Sequence, residues 1–168
     1  IAKEWHKISS HSNYKTAAVS DTLDLPFLDD FSKEGVYPDA VLWTDNAVYI
    51  NRTYPIAPPT MGVTTFDGLN YQGKPYSAAA SSNSSALADE LTSKFIRLGA
   101  PVTAADSAYL SFYYQAKGRG NEPEVKDSLI LEFQSSPLQS WKQVWFKTGY
   151  TPTGNDTSFH FVMVPVTD

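Results

Sequence analysis

The nine residues AYLSFYYQA, 108–116, constrain the fold of this chain more than any other stretch. Leu110, Phe112 and Tyr114 fall on one phase of a two-residue repeat, and Tyr109, Ser111, Tyr113 and Gln115 on the other. Successive side chains leave an extended backbone on opposite faces, so this alternation predicts a half-buried β-strand. The same habit returns in SLILEFQ (128–134), with Leu129, Leu131 and Phe133 inward and Glu132 outward. WKQVWFK (141–147) and SFHFVMVPV (158–166) repeat it, and AVLW (40–43), AVYIN (47–51) and GVTTFDG (62–68) are earlier strand candidates. Turn residues separate them, at Gly118 to Pro123, at 135–137 and at 151–156. Regular short strands without βαβ alternation predict an all-β domain, a sandwich or a barrel.

One segment is ambiguous. ALADELTSKFIRL, 86–98, sets Leu87, Leu91, Phe95 and Leu98 at helical spacing, yet Pro101 follows and TSKFIRL also reads as a short strand. The strand reading is preferred. Residues 1–24 are mostly polar and without sustained periodicity, and read as an extended leader or linker before a module spanning 25–168.

The length of 168 residues suits one domain with its own core. Aromatics at 14% are too many for a disordered chain. With no cysteine, a disulfide scaffold, a thiolate metal site and a thiol nucleophile are all excluded. The net charge is −5 and the thirteen Lys and Arg are scattered, which argues against a nucleic-acid partner. No apolar run approaches the roughly 20 residues of a transmembrane helix, and no signal peptide is visible. A chain that begins at Ile1 is expected to be a processed or excised piece.

The paired carboxylates of LPFLDDFS, 25–32, raise the question of catalysis. A glycosidase needs two carboxyl groups about 5–9.5 Å apart across one bond. Asp29 and Asp30 are adjacent, and adjacent residues on extended backbone point to opposite faces, so they do not make such a pair. EPEVKD (122–127) is acidic but lies in a loop marked by Gly and Pro. A single aspartate suits a metal better, because calcium gathers oxygens from loop Asp residues and carbonyls. Asp30 and Asp67 are the candidate ligands of a structural calcium, with Asp45 and Asp89 beside them; the plainer reading of each is a turn or strand-end Asp in water. His6, His11 and His160 have no metal-ligand spacing, and His160, between Phe159 and Phe161, is expected to face outward. No nucleophile elbow or phosphate loop occurs. Tyr109, Tyr113 and Trp145 fall on outward phases and are the candidate ligand-binding residues, flat rings of the kind that sugar-binding surfaces use; packing under a loop or a second domain is the plainer alternative. Three N-x-[ST] sequons occur at Asn51, Asn83 and Asn155, and DTL (21–23), DSA (106–108) and DSL (127–129) match a short O-glycosylation pattern of Bacteroidota.

Read in order, LPFLDDFS, PDAVLW, VYINRTYPIAPPTMGVTTFDGLNYQGKPY, ADELTSKFIRL, DSAYLSFYYQAKGRGNEPEVKDSLILEF and VWFKTGY resemble a jelly-roll module, of MAM or concanavalin-like pattern, found in large Bacteroidota cell-surface proteins associated with gliding motility and type IX secretion. The resemblance covers residue 25 to the end. It implies an antiparallel β-sandwich, here lacking its last strands and so left with an unpaired edge. It implies a strand over 91–98. It also implies a non-catalytic binding or adhesion module at the cell surface or secreted, working by protein or glycan contact, with other surface or secretion-system proteins as partners, an outer-membrane barrel among them. The alternatives are a carbohydrate-active enzyme or its sugar-binding module, and a subunit bound to the outer-membrane translocon.

Overall fold

The computed structural model describes residues 21–76, 86–99, 108–149 and 156–166. Eight strands lie among them: β1 (Thr22–Asp24), β2 (Tyr49–Asn51), β3 (Val63–Thr65), β4 (Phe95–Arg97), β5 (Tyr109–Tyr114), β6 (Ser128–Phe133), β7 (Lys142–Thr148) and β8 (His160–Pro165). They pair as four separate two-stranded sheets, β1 with β4, β2 with β3, β5 with β8 and β6 with β7. The β1–β4 pair is parallel and the other three are antiparallel.

All-β character is therefore correct, but the jelly-roll β-sandwich is not. The sheets are small and unjoined by hydrogen bonds, whereas a jelly roll stacks two multi-stranded sheets. The resemblance to a jelly-roll surface module falls with it. A physical cause is visible in the first half of the chain, where polar side chains capture backbone donors that a ladder would otherwise use. Asp29 accepts from Phe31 N–H, Asp30 from Ser32, Asp39 from Val41, Asn51 from Thr53, Asp67 from Leu69 and Asn70 from Gln72. The turn at Asn51 closes β2 and the turn at Asp67 follows β3, each a strand of three residues. AVLW, expected as a strand, is one of these turns: the Asp39 carbonyl accepts from both Leu42 and Trp43.

The segment 86–98 contains no helix; it runs irregularly to the bridge between Ser93 and Trp43 and then enters β4. The last residues of the stretch read as a leader form β1, which Asp24 ties to Arg97 of β4 at 2.5 Å.

β5 to β8 are longer because they follow the period-two pattern. β5 and β6 both alternate exposed and half-buried, with Leu110, Phe112 and Tyr114 inward on β5 and Leu129, Leu131 and Phe133 inward on β6. The two ribbons meet through rings on their inner faces: Trp145 of β7 lies 5.3 Å from Phe112, edge on, and 5.4 Å from Tyr114. Val164 of β8 is buried, and Val48, before β2, is the most deeply buried side chain of the described residues. A second cluster sits at the chain entry, where Phe27 and Phe31 flank Trp43 at 5.4 and 6.0 Å.

Candidate functional site

The β5–β8 register sets Tyr109 opposite Pro165, Ser111 opposite Met163 and Tyr113 opposite Phe161. These six side chains share the outer face of the ribbon. Tyr109 and Tyr113 are each 51% exposed, Phe161 55% and Met163 57%. The Val166 N–H donates to the Ala108 carbonyl, which makes 108/166 a hydrogen-bonded pair and the next position along a non-hydrogen-bonded one. By alternation 109/165, 111/163 and 113/161 are the non-hydrogen-bonded pairs, whose side chains stand closest. Tyr113 and Phe161 accordingly touch, their centroids 5.1 Å apart and their planes tilted by 51°. No Asp, Glu, Lys or Arg stands among the six. The result is an exposed, uncharged aromatic face.

The opposite face is held from inside. Tyr114 stacks on His160 at 5.2 Å, and His160 Nε2 meets Asp156 Oδ2 at 2.6 Å. The Ser158 N–H, followed by His160, holds the Asp156 carboxyl below its ordinary range. Burial, followed by the Asp156 charge, pushes the Tyr114 phenol up. Gln115, just past β5, joins two loops: its amide donates to the Ile56 and Thr157 carbonyls at 2.9 and 2.7 Å, and its carbonyl accepts from Ile56 N–H at 3.1 Å.

The candidate ligand residues thus divide. Tyr109 and Tyr113 lie on the exposed face together. Trp145 does not join them; it is half-buried against Phe112 and Tyr114. The cause is a bulge: Leu131 pairs Trp145 but Glu132 pairs Gln143, so both Val144 and Trp145 turn inward and Phe146 turns out. His160, expected outward, sits on the inward phase. Phe161 and Met163 complete the outer face, and only the cross-strand register, with Pro165 opposite Tyr109, places them there.

Each candidate metal ligand accepts from a backbone N–H through one of its oxygens. Asp30 is held below its ordinary range by the Ser32 hydroxyl and then the Ser32 N–H. Asp67 accepts from Leu69 N–H at 2.9 Å. Asp89 accepts from Gly68 N–H and from the Tyr76 hydroxyl, at 2.7 and 2.8 Å; burial and then Asp89 push that phenol up to about 12. Asp45 accepts from Thr92 N–H at 2.6 Å through one oxygen, and its other oxygen is buried without a partner among the described residues. No three His, Asp or Glu side chains converge on a metal position among the described residues. Asp29, set aside as a catalytic acid, bridges the Phe31 N–H at 2.8 Å and the Trp43 indole at 2.7 Å. Asp127 accepts from Glu124 N–H in its loop, and Glu132 stands exposed on β6.

Of the sequons, Asn51 is buried at 8% exposure and its carbonyl accepts from Thr53 and Tyr54 N–H, which leaves no room for a glycan. Asn83, Asn155, His6 and His11 lie outside the described residues. One open hollow among the described residues, about 310 Å³, is lined by Gly35 and Ile50 to Thr53. No helix of the described residues is long and apolar enough to cross a membrane. No family model, curated protein or solved structure matches the chain.

Proposed function

We propose that this chain is a non-catalytic binding module, displayed at the cell surface or secreted, that works by protein contact through the outer face of β5 and β8. The observation that carries the reading is the uncharged cluster of Tyr109, Tyr113, Phe161 and Met163, each about half exposed. Protein interfaces are enriched at their centres in Tyr, Phe and Met and depleted of charged side chains, and this face has that composition. A sugar site needs polar groups converging beside its rings, and here Ser111 and the two phenols are the polar groups of the face. Asp29, Asp30, Asp67 and Asp127 each accept from a backbone N–H in a turn.

A photo-crosslinking residue placed at Tyr113 or Phe161 in the producing cells tests this reading. A protein adduct is expected from these two positions and none from Ser128 on β6, with Tyr109→Ser weakening a purified pair tenfold or more, the scale of an aromatic hot spot. Glycan-array binding that Tyr113→Ser abolishes, with no protein adduct, would overturn it. Labelling of intact cells with a membrane-impermeant amine reagent tests the location; protection of the lysines in intact cells, with labelling after lysis, would place the chain inside.

A further inference from the structure

We infer that the free edge of β5 pairs with β5 of a second copy of this chain, antiparallel about a two-fold axis at Ser111, to make a four-stranded sheet. This inference is independent of what docks on the aromatic face.

The hydrogen-bond parity of the ribbon exposes the edge. Leu110, Phe112 and Tyr114 belong to the hydrogen-bonded pairs with β8, as Ala108 does. The N–H and C=O groups of Tyr109, Ser111 and Tyr113 therefore point away from β8. No strand or bridge of the described residues pairs with that side of β5. Three donors and three acceptors in a row form a template for another strand.

The neighbouring strands carry devices that blunt such edges, and β5 carries none. β8 has Pro165 opposite Tyr109 in a non-hydrogen-bonded pair, so the missing N–H falls on the free side of β8. β6 carries Glu132 beside the bulge, and β7 carries Lys142 and Lys147. Across 108–116 there is no charge, proline or glycine, and β5 is six residues long with no bulge in its register.

The arrangement of these edge residues about Ser111 points to a second copy as the occupant. Each copy carries a net −5, yet identical β5 strands meet without opposing any charge. Centring the pair on Ser111 sets Ser111 against itself and Tyr109 against the second copy's Tyr113, twice over. All three edge residues then pair, with six hydrogen bonds, whereas a centre at Leu110 or Phe112 pairs two of the three. The small Ser111 occupies the axis, and cross-strand aromatic pairs form on the outer face, each a favourable contact in a sheet. Sheet extension by a strand of another chain is an established mode of recognition.

The chain has no cysteine, so Ser111→Cys supplies a single reporter. Opposed residues of a hydrogen-bonded antiparallel pair have Cα atoms about 5.5 Å apart and Cβ atoms nearly as far, wider than the roughly 3.5–4.5 Å between the Cβ atoms of a disulfide, so a short thiol-bridging reagent suits the pair better than oxidation. A short-spacer bis-methanethiosulfonate reagent should link S111C almost completely into covalent dimer, and S128C on β6, treated alike, should give little. Light scattering should find the unmodified chain at twice the mass of one chain, and Ser111→Lys and Ser111→Pro at the mass of one, with circular dichroism unchanged. A monomer at the highest attainable concentration, or S111C linking no better than S128C, would overturn the pairing. So would a dimer that both Ser111 variants leave intact, or a ladder of higher species in place of a dimer.

Discussion

The carboxylate of Asp29 holds two donors at once, a backbone N–H and the indole of Trp43, and thereby fixes the ring that Phe27 and Phe31 flank. Removing it strands both donors in a half-buried place, and an orphaned donor costs about 1–3 kcal/mol. Asp29→Ala is therefore expected to lower unfolding stability by about that amount, with Asp29→Asn losing less because one acceptor remains. Urea titration followed by tryptophan emission measures it; unchanged midpoints would dissociate Asp29 from the cluster. The pH dependence follows from Asp156, whose folded carboxyl is held below the ordinary 3.8 by Ser158 N–H and His160. A depressed carboxyl contributes stability that is fully present above its unfolded value and is lost as pH falls through the folded one. Asp30 and Asp39 are lowered in the same direction. Thermal stability should thus hold above about pH 4 and fall below it, and Asp156→Asn should flatten part of that fall; an identical acid limb would remove the link. Nothing in the order of residues announces these roles: Asp29 and Trp43 are fourteen positions apart, and the pair exists only because the turn at Asp39 brings them together.

At the scale of elements, legibility follows length. β5 and β6 were readable with their faces because alternation over six residues outweighs local competitors. Three-residue strands carry too little pattern, and AVLW became a turn because Asp39 bonds its own following backbone. In β7 the alternation is real but the bulge shifts its phase, and Trp145 goes inward for that reason. The exit of β5 gives a second test of how elements are held. Gln115 joins the loops at Ile56 and Thr157, and Gly118 lies so near Tyr54 that an added Cβ would meet its carbonyl oxygen at 2.5 Å, backbone that cannot yield cheaply. Gln115→Ala should cost about 2 kcal/mol, given net hydrogen-bond contributions of about 0.5–1.5 kcal/mol each. Gly118→Ala should cost at least as much, from overlap rather than lost bonding. Hydrogen exchange should show Ile56 and Arg119 N–H losing protection first in both; faster exchange confined to β6 would contradict the arrangement.

At the scale of the molecule, the four short sheets of the described residues leave many large apolar side chains half exposed, and both proposed means of association fall on the β5–β8 ribbon. Its face presents side chains and its edge presents backbone, so the two separate by substitution. Phe161→Ser with Met163→Ser removes apolar area from the β8 side of the face and leaves the N–H and C=O groups and the tyrosine rings of the β5 edge in place. Ser111→Pro removes one edge donor and leaves the four large side chains of the face untouched. The face variant should therefore bind less of the dye ANS, which reports exposed apolar surface, and should lose the partner adduct while remaining dimeric. The edge variant should become monomeric while keeping the adduct. Loss of both properties in either variant would mean that face and edge act as one surface. In that case the four-stranded sheet itself would be what the partner recognises, with Tyr109 and Tyr113 of both copies forming a single continuous platform.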